Sequence, residues 1–321
     1  MYRKNCPEEL YAVKEFHRKP SYEYEKKMRS EFSIAKSLNH PNIVKTICLC
    51  NDYGKWNHVM EYCSEGNLFN LIQKNYLKKK DREKDRLCLF KQLIQGIDYL
   101  HSKGIAHRDI KLENLLITKD SKLKITDFGN ANVFSGIHPG TKEADGQCGK
   151  NVGEICLCAP GIWGNESYTA PEVLAMKIYD PRNLDIWSSA IVMIYLIFGG
   201  TLWEKADENN VHYMALVKGW DKWDTKLISP EDVISNMDYP NVSIFDKFVN
   251  PPTLRQVLLQ MLNPNPDRRL LANEIINNHW VKNIECCQPE SYEDPSNTLK
   301  INRIKSDKEK SFCHNHLPPT V

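Results

Sequence analysis

His107-Arg108-Asp109-Ile110-Lys111-Leu112-Glu113-Asn114 is followed, thirteen residues after its Asn, by Asp127-Phe128-Gly129. These two stretches bring the carboxylates of Asp109 and Asp127, the Lys111 ammonium group and the Asn114 amide oxygen into one short span of chain. Phosphoryl transfer asks for such a set: cations on the phosphate oxygens, hard oxygen ligands for Mg²⁺, and a carboxylate for the nucleophile's proton. On that reading Asp109 orients an acceptor hydroxyl and takes its proton, and Lys111 meets charge developing on the γ-phosphate. Asn114 and Asp127 are the Mg²⁺ ligands. Either motif alone is weak, because an Asp-Phe-Gly is often a turn and a His-Arg-Asp a surface cluster. Two apolar strand-like pieces between them, Leu115–Ile117 and Leu123–Ile125, make the joint pattern specific.

The elements that position these residues are legible from periodicity. Tyr11–Phe16 reads as a strand, Tyr22–Leu38 as a helix stopped by His40-Pro41, and Ile43–Cys50 and Trp56–Tyr62 as two strands joined by a turn at Asn51–Gly54. Leu87–His101 carries Leu87, Phe90, Leu93, Ile94, Ile97 and Leu100 on one helical face, and Asp185–Phe198 and Leu254–Leu262 read as further helices. The charged run Lys74–Arg86 reads as a solvated loop and helix start rather than a nucleic-acid patch. Residues 130–169 form a long polar connection of a kind that compact domains keep for a use. From about residue 286, Ser, Pro, Lys and Asn dominate, which predicts a loosely ordered, low-complexity tail.

Bulk composition narrows the class. A chain of 321 residues is large enough for two lobes, and 41% hydrophobic with 26% charged residues is ordinary for a globular protein. A net charge of +2 gives no reason to expect nucleic acid or a membrane surface as partner. The longest apolar stretch, Ile186–Phe198, is too short to span a bilayer, and the first residues show no secretory signal. Eleven scattered cysteines imply reduced thiols and a cytoplasmic location. The Cys48/Cys50 and Cys156/Cys158 pairs lack the usual zinc spacing and read as strand or loop cysteines.

Taken together, these motifs resemble the eukaryotic protein kinase catalytic domain over about residues 1–282. The resemblance implies an α+β, bilobal fold: a β-rich small lobe at 1–62, a mainly helical large lobe at 63–285, and the tail at 286–321. It implies ATP and Mg²⁺ as cofactors and a protein as substrate. In this frame Ala12-Val13-Lys14 supplies the Lys that grips the α- and β-phosphates, and Glu31 is its ion-pair partner. Met60-Glu61-Tyr62-Cys63 resembles the hinge, with Met60 as gatekeeper and the backbone of Glu61 and Cys63 binding adenine between Ala12 and Leu116. Ala170-Pro171-Glu172 implies a pair between Glu172 and Arg269, and Asp185-Ile186-Trp187-Ser188 resembles the helix that anchors the catalytic loop. Lys111 in its Asp-x-Lys-x-x-Asn context is the Ser/Thr-type signature. Arg108 implies control by an anion in the activation loop, for which Ser135, Thr141 and Ser167 are the candidate acceptors.

More narrowly, Gly104–Asp109, Tyr179-Asp180-Pro181-Arg182 and a tail ending His314-Asn315-His316-Leu317-Pro318 resemble the fungal halotolerance and permease-reactivator kinases, which regulate membrane transporters. In the tail the histidines read as part of a disordered end. Three departures stand out, the mildest being Ala190 where the family's Asp-x-Trp-Ser helix usually carries Gly. No glycine-rich loop precedes Lys14, which predicts weak nucleotide binding, leaves Tyr11–Phe16 as an exposed sheet edge, and raises the alternative of a pseudokinase or scaffold without a nucleotide lid. Asn165 stands where the family usually has Thr or Ser, and residues 130–169 are long enough for a lid or an autoinhibitory plug.

Overall fold

Strand propensity and a turn set the small lobe. The computed structural model describes residues 2–3, 6–16, 21–161, 164–226, 239–287 and 316–317. Strands β1 (Tyr2–Arg3), β2 (Cys6–Phe16), β3 (Thr46–Asp52) and β4 (Lys55–Glu61) form an antiparallel sheet in the order β1-β2-β4-β3, with helix α1 (Tyr22–Ser37) lying between β2 and β3 in sequence. β2 starts five residues earlier than the sequence pattern suggests, because Pro7-Glu8-Glu9 masks its beginning; Pro is tolerated at such a sheet margin. β1 pairs with β2 only up to Leu10, so Tyr11–Phe16 has β4 on one side and no strand on the other among the described residues. The Ser21 side chain accepts the Tyr24 amide at 3.3 Å, Glu23 and Glu25 occupy the first turn of α1, and the helix stops before His40-Pro41.

The large lobe is built on one buried helix. α2 (Leu68–Gln73) is followed by α3 (Glu83–Ser102), whose Leu89, Phe90, Leu93, Ile94, Ile97 and Leu100 are all fully buried. Each such side chain is worth roughly 1.5–3 kcal/mol of apolar burial. The hairpin β6 (Leu115–Ile117) and β7 (Leu123–Ile125) packs on α3, and β5 (Ile105–Ala106) pairs with β8 (Asn132–Val133). α4 (Pro171–Leu174), α5 (Pro181–Phe198), α6 (Val211–Lys226), α7 (Ser243–Phe248), α8 (Pro252–Met261), α9 (Ala272–Asn277) and α10 (His279–Lys282) complete the lobe. α5 begins before the expected Asp185 because Asp180 caps it and Pro181 fits its first turn.

The C-terminal part does not run free of the domain where it is described. Buried Lys91 on α3 donates to the carbonyls of Lys282 (2.7 Å) and Ile284 (3.1 Å), which draws residues 284–287 onto α3. His316, expected in a disordered end, is fully buried against the same helix, its ring nitrogens 3.0 Å from Asp85 Oδ1 and 3.2 Å from Cys88 Sγ. Residues 288–315 and 318–321 of the expected low-complexity tail, His314 included, lie outside the described residues.

Residues 130–161 contact both α1 and the catalytic loop, the latter through Asn130 and Cys158. Ser30 on α1 meets the His138 ring at 2.9 Å, and Cys148 donates to the Ser37 carbonyl at 3.3 Å. No helix among the described residues is long and apolar enough to cross a membrane.

Candidate active site

β2 and β4 carry the site's upper wall in register, Ala12 opposite Met60 and Lys14 opposite His58. Lys14 reaches two carboxylates at once: Glu31 of α1 at 2.7 Å and Asp127 at 3.0 Å. Burial alone would lower the Lys14 ammonium, but the two carboxylates outweigh it and hold it above its ordinary value. Burial would likewise raise the Asp127 carboxyl; Lys14 and the Gly129 amide overcome that and hold it below the usual carboxylate range. Glu31 is buried, which pushes its carboxyl up against the pull of Lys14. Gly129 eases this approach of α1: a Cβ there would sit tightly, 3.2 Å from Asp127 and Glu31 oxygens.

Asp127 sits in the left-handed region (φ 65°), which turns the chain so that its side chain points back toward Lys14. Behind it Phe128 is buried, edge-on to the His107 ring at 5.2 Å, and His107 bonds the Thr126 carbonyl at 2.9 Å. The catalytic loop hangs from α5. Buried Asp185 accepts the backbone amides of His107 (2.8 Å) and Arg108 (2.7 Å), holding Arg108 at a positive φ of 61°.

That loop gathers the groups expected to react. Lys111 Nζ lies 2.8 and 3.0 Å from the Asp109 carboxylate oxygens, and Asn114 Nδ2 donates to the Asp109 carbonyl (2.9 Å) and carboxylate (3.2 Å). Asn130 adds a longer contact to the same carboxylate, 3.4 Å. Gly164 packs so closely that a Cβ there would collide with Asp109. Because Asn114 spends its amide nitrogen on Asp109, its Oδ1 is the atom left to serve as a ligand, and Asp127 offers a half-exposed carboxylate. Both are hard oxygen donors, which suits Mg²⁺.

Between the lobes lies a cleft of about 290 Å³ lined by Ala12, Lys14, Thr46, Met60, Asn114 and Asp127 among others. Leu116, Glu61 and Cys63 stand outside that lining set, on β6 and the segment joining the lobes. This segment is tied to the large lobe: the Glu65 amide donates to Ile117 (3.2 Å), Asn67 bridges Leu116, and Glu61 pairs with Lys124 of β7 at 2.6 Å.

Glu172 and Arg269 form a buried bidentate pair at 2.7 and 3.0 Å, as the motif implied. Arg108 donates to the Asn130 carbonyl (2.8 Å) and contacts the buried Cys158 sulfur (3.7 Å). Ser135 and Ser167 are buried, with Ser135 Oγ accepting the Gly153 amide and Ser167 bonded to Asn165, and Thr141 Oγ1 accepts the Ala144 amide. Asn165 Oδ1 caps Ser167, at 3.0 Å to its amide and 2.9 Å to its hydroxyl. His58, Lys124 and Asn130 lacked any motif that would have marked them; the strand register of His58 opposite Lys14 is the one signal available in sequence.

A profile of the protein kinase domain matches residues 2–281. Among curated relatives, the serine/threonine-protein kinase HAL4/SAT4 of Saccharomyces cerevisiae is 37% identical over 287 residues, covering 88% of this chain and 42% of its own length. The serine/threonine-protein kinase hal4 of Schizosaccharomyces pombe is also 37% identical over 287 residues, with 88% and 40% covered. The nitrogen permease reactivator protein of S. cerevisiae is 33% identical over 305 residues, with 87% and 36% covered. The chain therefore spans about two fifths of the length of the first of these relatives. With a bilobal fold, a closed Lys14–Glu31 pair and these matches, the chain belongs to the protein kinase domain family.

Proposed function

We propose that this chain is a serine/threonine protein kinase that transfers the γ-phosphoryl group of ATP to hydroxyls of protein substrates. The observation that carries the reading is that Lys14, Glu31, Asn114 and Asp127 line one interlobe cleft, with Asp109 beside it in hydrogen-bond contact with Lys111 and Asn114. Lys14, kept charged by two carboxylates, binds the α- and β-phosphates. Ala12 and Leu116 enclose adenine, and the backbone of Glu61 and Cys63 hydrogen-bonds its edge. Asp109 accepts the acceptor hydroxyl's proton, and Lys111 neutralises charge on the transferring group. Asn114 and Asp127 are the residues that would hold Mg²⁺, which when bound supplies further neutralisation of phosphate charge. The scaffold alternative finds no support among the relatives, which are named as serine/threonine-protein kinases.

Relatives named as serine/threonine kinases favour Ser and Thr acceptors, and the relative named nitrogen permease reactivator protein favours a substrate in the control of membrane transporters. We place the chain in the cytoplasm, where thiols stay reduced; the nine cysteines whose side chains are described are free. The test is incubation of the full chain with Mg²⁺, γ-labelled ATP and a mixed Ser/Thr/Tyr peptide library. Label on serine and threonine is expected. Label on tyrosine alone, or none with ATP bound, overturns the reading.

A further inference from the structure

Cys88, Cys287 and His316 meet in one place although about two hundred residues separate the first from the others. His316 Nε2 lies 3.2 Å from Cys88 Sγ and 3.3 Å from Cys287 Sγ, and the three ligand atoms all fall within 4.8 Å of one another. Cys88 and His316 are fully buried. Zn–S bonds near 2.3 Å and Zn–N bonds near 2.0 Å give a tetrahedral S···N edge of roughly 3.5 Å, so these separations are those of a ligand set around one small ion.

The other ring nitrogen makes the second point. His316 Nδ1 is 3.0 Å from the Asp85 carboxylate, itself held by Arg82 Nη1 at 3.3 Å. With its Nδ1–H donated to Asp85, the ring presents the Nε2 lone pair to the two sulfurs. A carboxylate fixing the histidine tautomer in this way is the habitual outer partner of a zinc-bound imidazole. Cys286 lies beside the group, with its sulfur 4.0 Å from Cys88 Sγ.

We propose that Cys88, Cys287 and His316 bind a structural zinc ion, with Asp85 orienting His316. The ligands are soft thiolates and an imidazole, the chemistry that selects zinc over the Mg²⁺ of the active site. The site pins the C-terminal segment to α3 and, through the His316 amide on Ser121 Oγ (2.9 Å), to the turn between β6 and β7. Closing so long a loop is where a crosslink constrains the unfolded chain most. Metal binding releases protons from the thiols as thiolates form, and no redox change is involved.

The test uses the full chain, purified after tag removal and without chelators, supplied with zinc and analysed for metal by mass spectrometry. About one zinc per chain is expected, lost to background in Cys88→Ser and His316→Ala, with affinity lowered roughly 10–100-fold in Asp85→Asn. Replacing zinc by Co²⁺ in the unmutated chain is expected to give a thiolate-to-cobalt charge-transfer band, a readout that does not depend on variants folding. Folded chain with under about a tenth of an equivalent of zinc and no cobalt band overturns the proposal, leaving a buried Asp85–His316 pair only. A disulfide among these cysteines in the non-reduced protein overturns it as well.

Discussion

Lys14 is the residue on which the two lobes agree, since one of its carboxylates comes from α1 in the small lobe and the other from Asp127 in the large one. The same neighbourhood constrains His58, which is buried behind Lys14 and bonds Thr46 Oγ1 at 3.0 Å. Burial, and then the charge of Lys14, push His58 down from 6.5 to about 4, with Asp127 opposing weakly. A folded value below the unfolded one means that the unfolded chain takes the proton first as pH falls. The stabilising contribution is therefore complete above 6.5 and is lost between 6.5 and about 4, with a slope of at most about 1.4 kcal/mol per pH unit. Denaturant titrations at pH 7, 6 and 5 should show wild type losing stability faster than His58→Gln. Parallel losses in the two proteins would contradict the assignment.

At the scale of elements, short anchors hold the loops that carry chemistry. Asp185 on α5 suspends the catalytic loop, and Glu172 clamps Arg269 in a pair with 6% and 0% side-chain exposure. At that burial, removing one partner strands the other charge, which costs about 3–5 kcal/mol. Glu172→Ala should thus lower unfolding free energy by that amount in chemical denaturation; a loss below about 1 kcal/mol would show the pair to be solvated. These anchors were legible in sequence because each belongs to a short run of characteristic residues, and β6, β7 and α1 were placed within a residue by their apolar spacing. The start of β2 was not legible, since Pro7-Glu8-Glu9 carries no strand alternation and its pairing with β1 is decided by the sheet. The fate of residues 130–161 was equally hidden: His138 and Cys148 find partners on α1 more than a hundred residues away.

For the molecule as a whole, the cleft is a joint between lobes closed by Lys14–Asp127 above the catalytic loop and by Glu61–Lys124 at the connecting segment. A ligand that bridges such a joint stabilises the folded chain by mass action, about 2.7 kcal/mol at a hundredfold excess over Kd. Mg²⁺·ATP at that excess should raise Tm by several degrees in wild type and by much less in Lys14→Ala. Equal rises in the two would mean that nucleotide binds elsewhere. Whole-molecule contacts are also where the sequence pattern says least: Cys88, Cys287 and His316 share no local spacing, and only the fold of α3 brings them together.

The central claim, that this cleft performs phosphoryl transfer with Asp109 as the proton acceptor, is tested most directly by one comparison. Turnover of γ-labelled ATP onto protein is measured for wild type and Asp109→Asn, with ATP affinity determined in parallel. The account predicts a fall in kcat of about 100-fold or more with ATP affinity nearly unchanged, because Asp109 acts on the hydroxyl and not on the nucleotide. Equal turnover in the two proteins would contradict it.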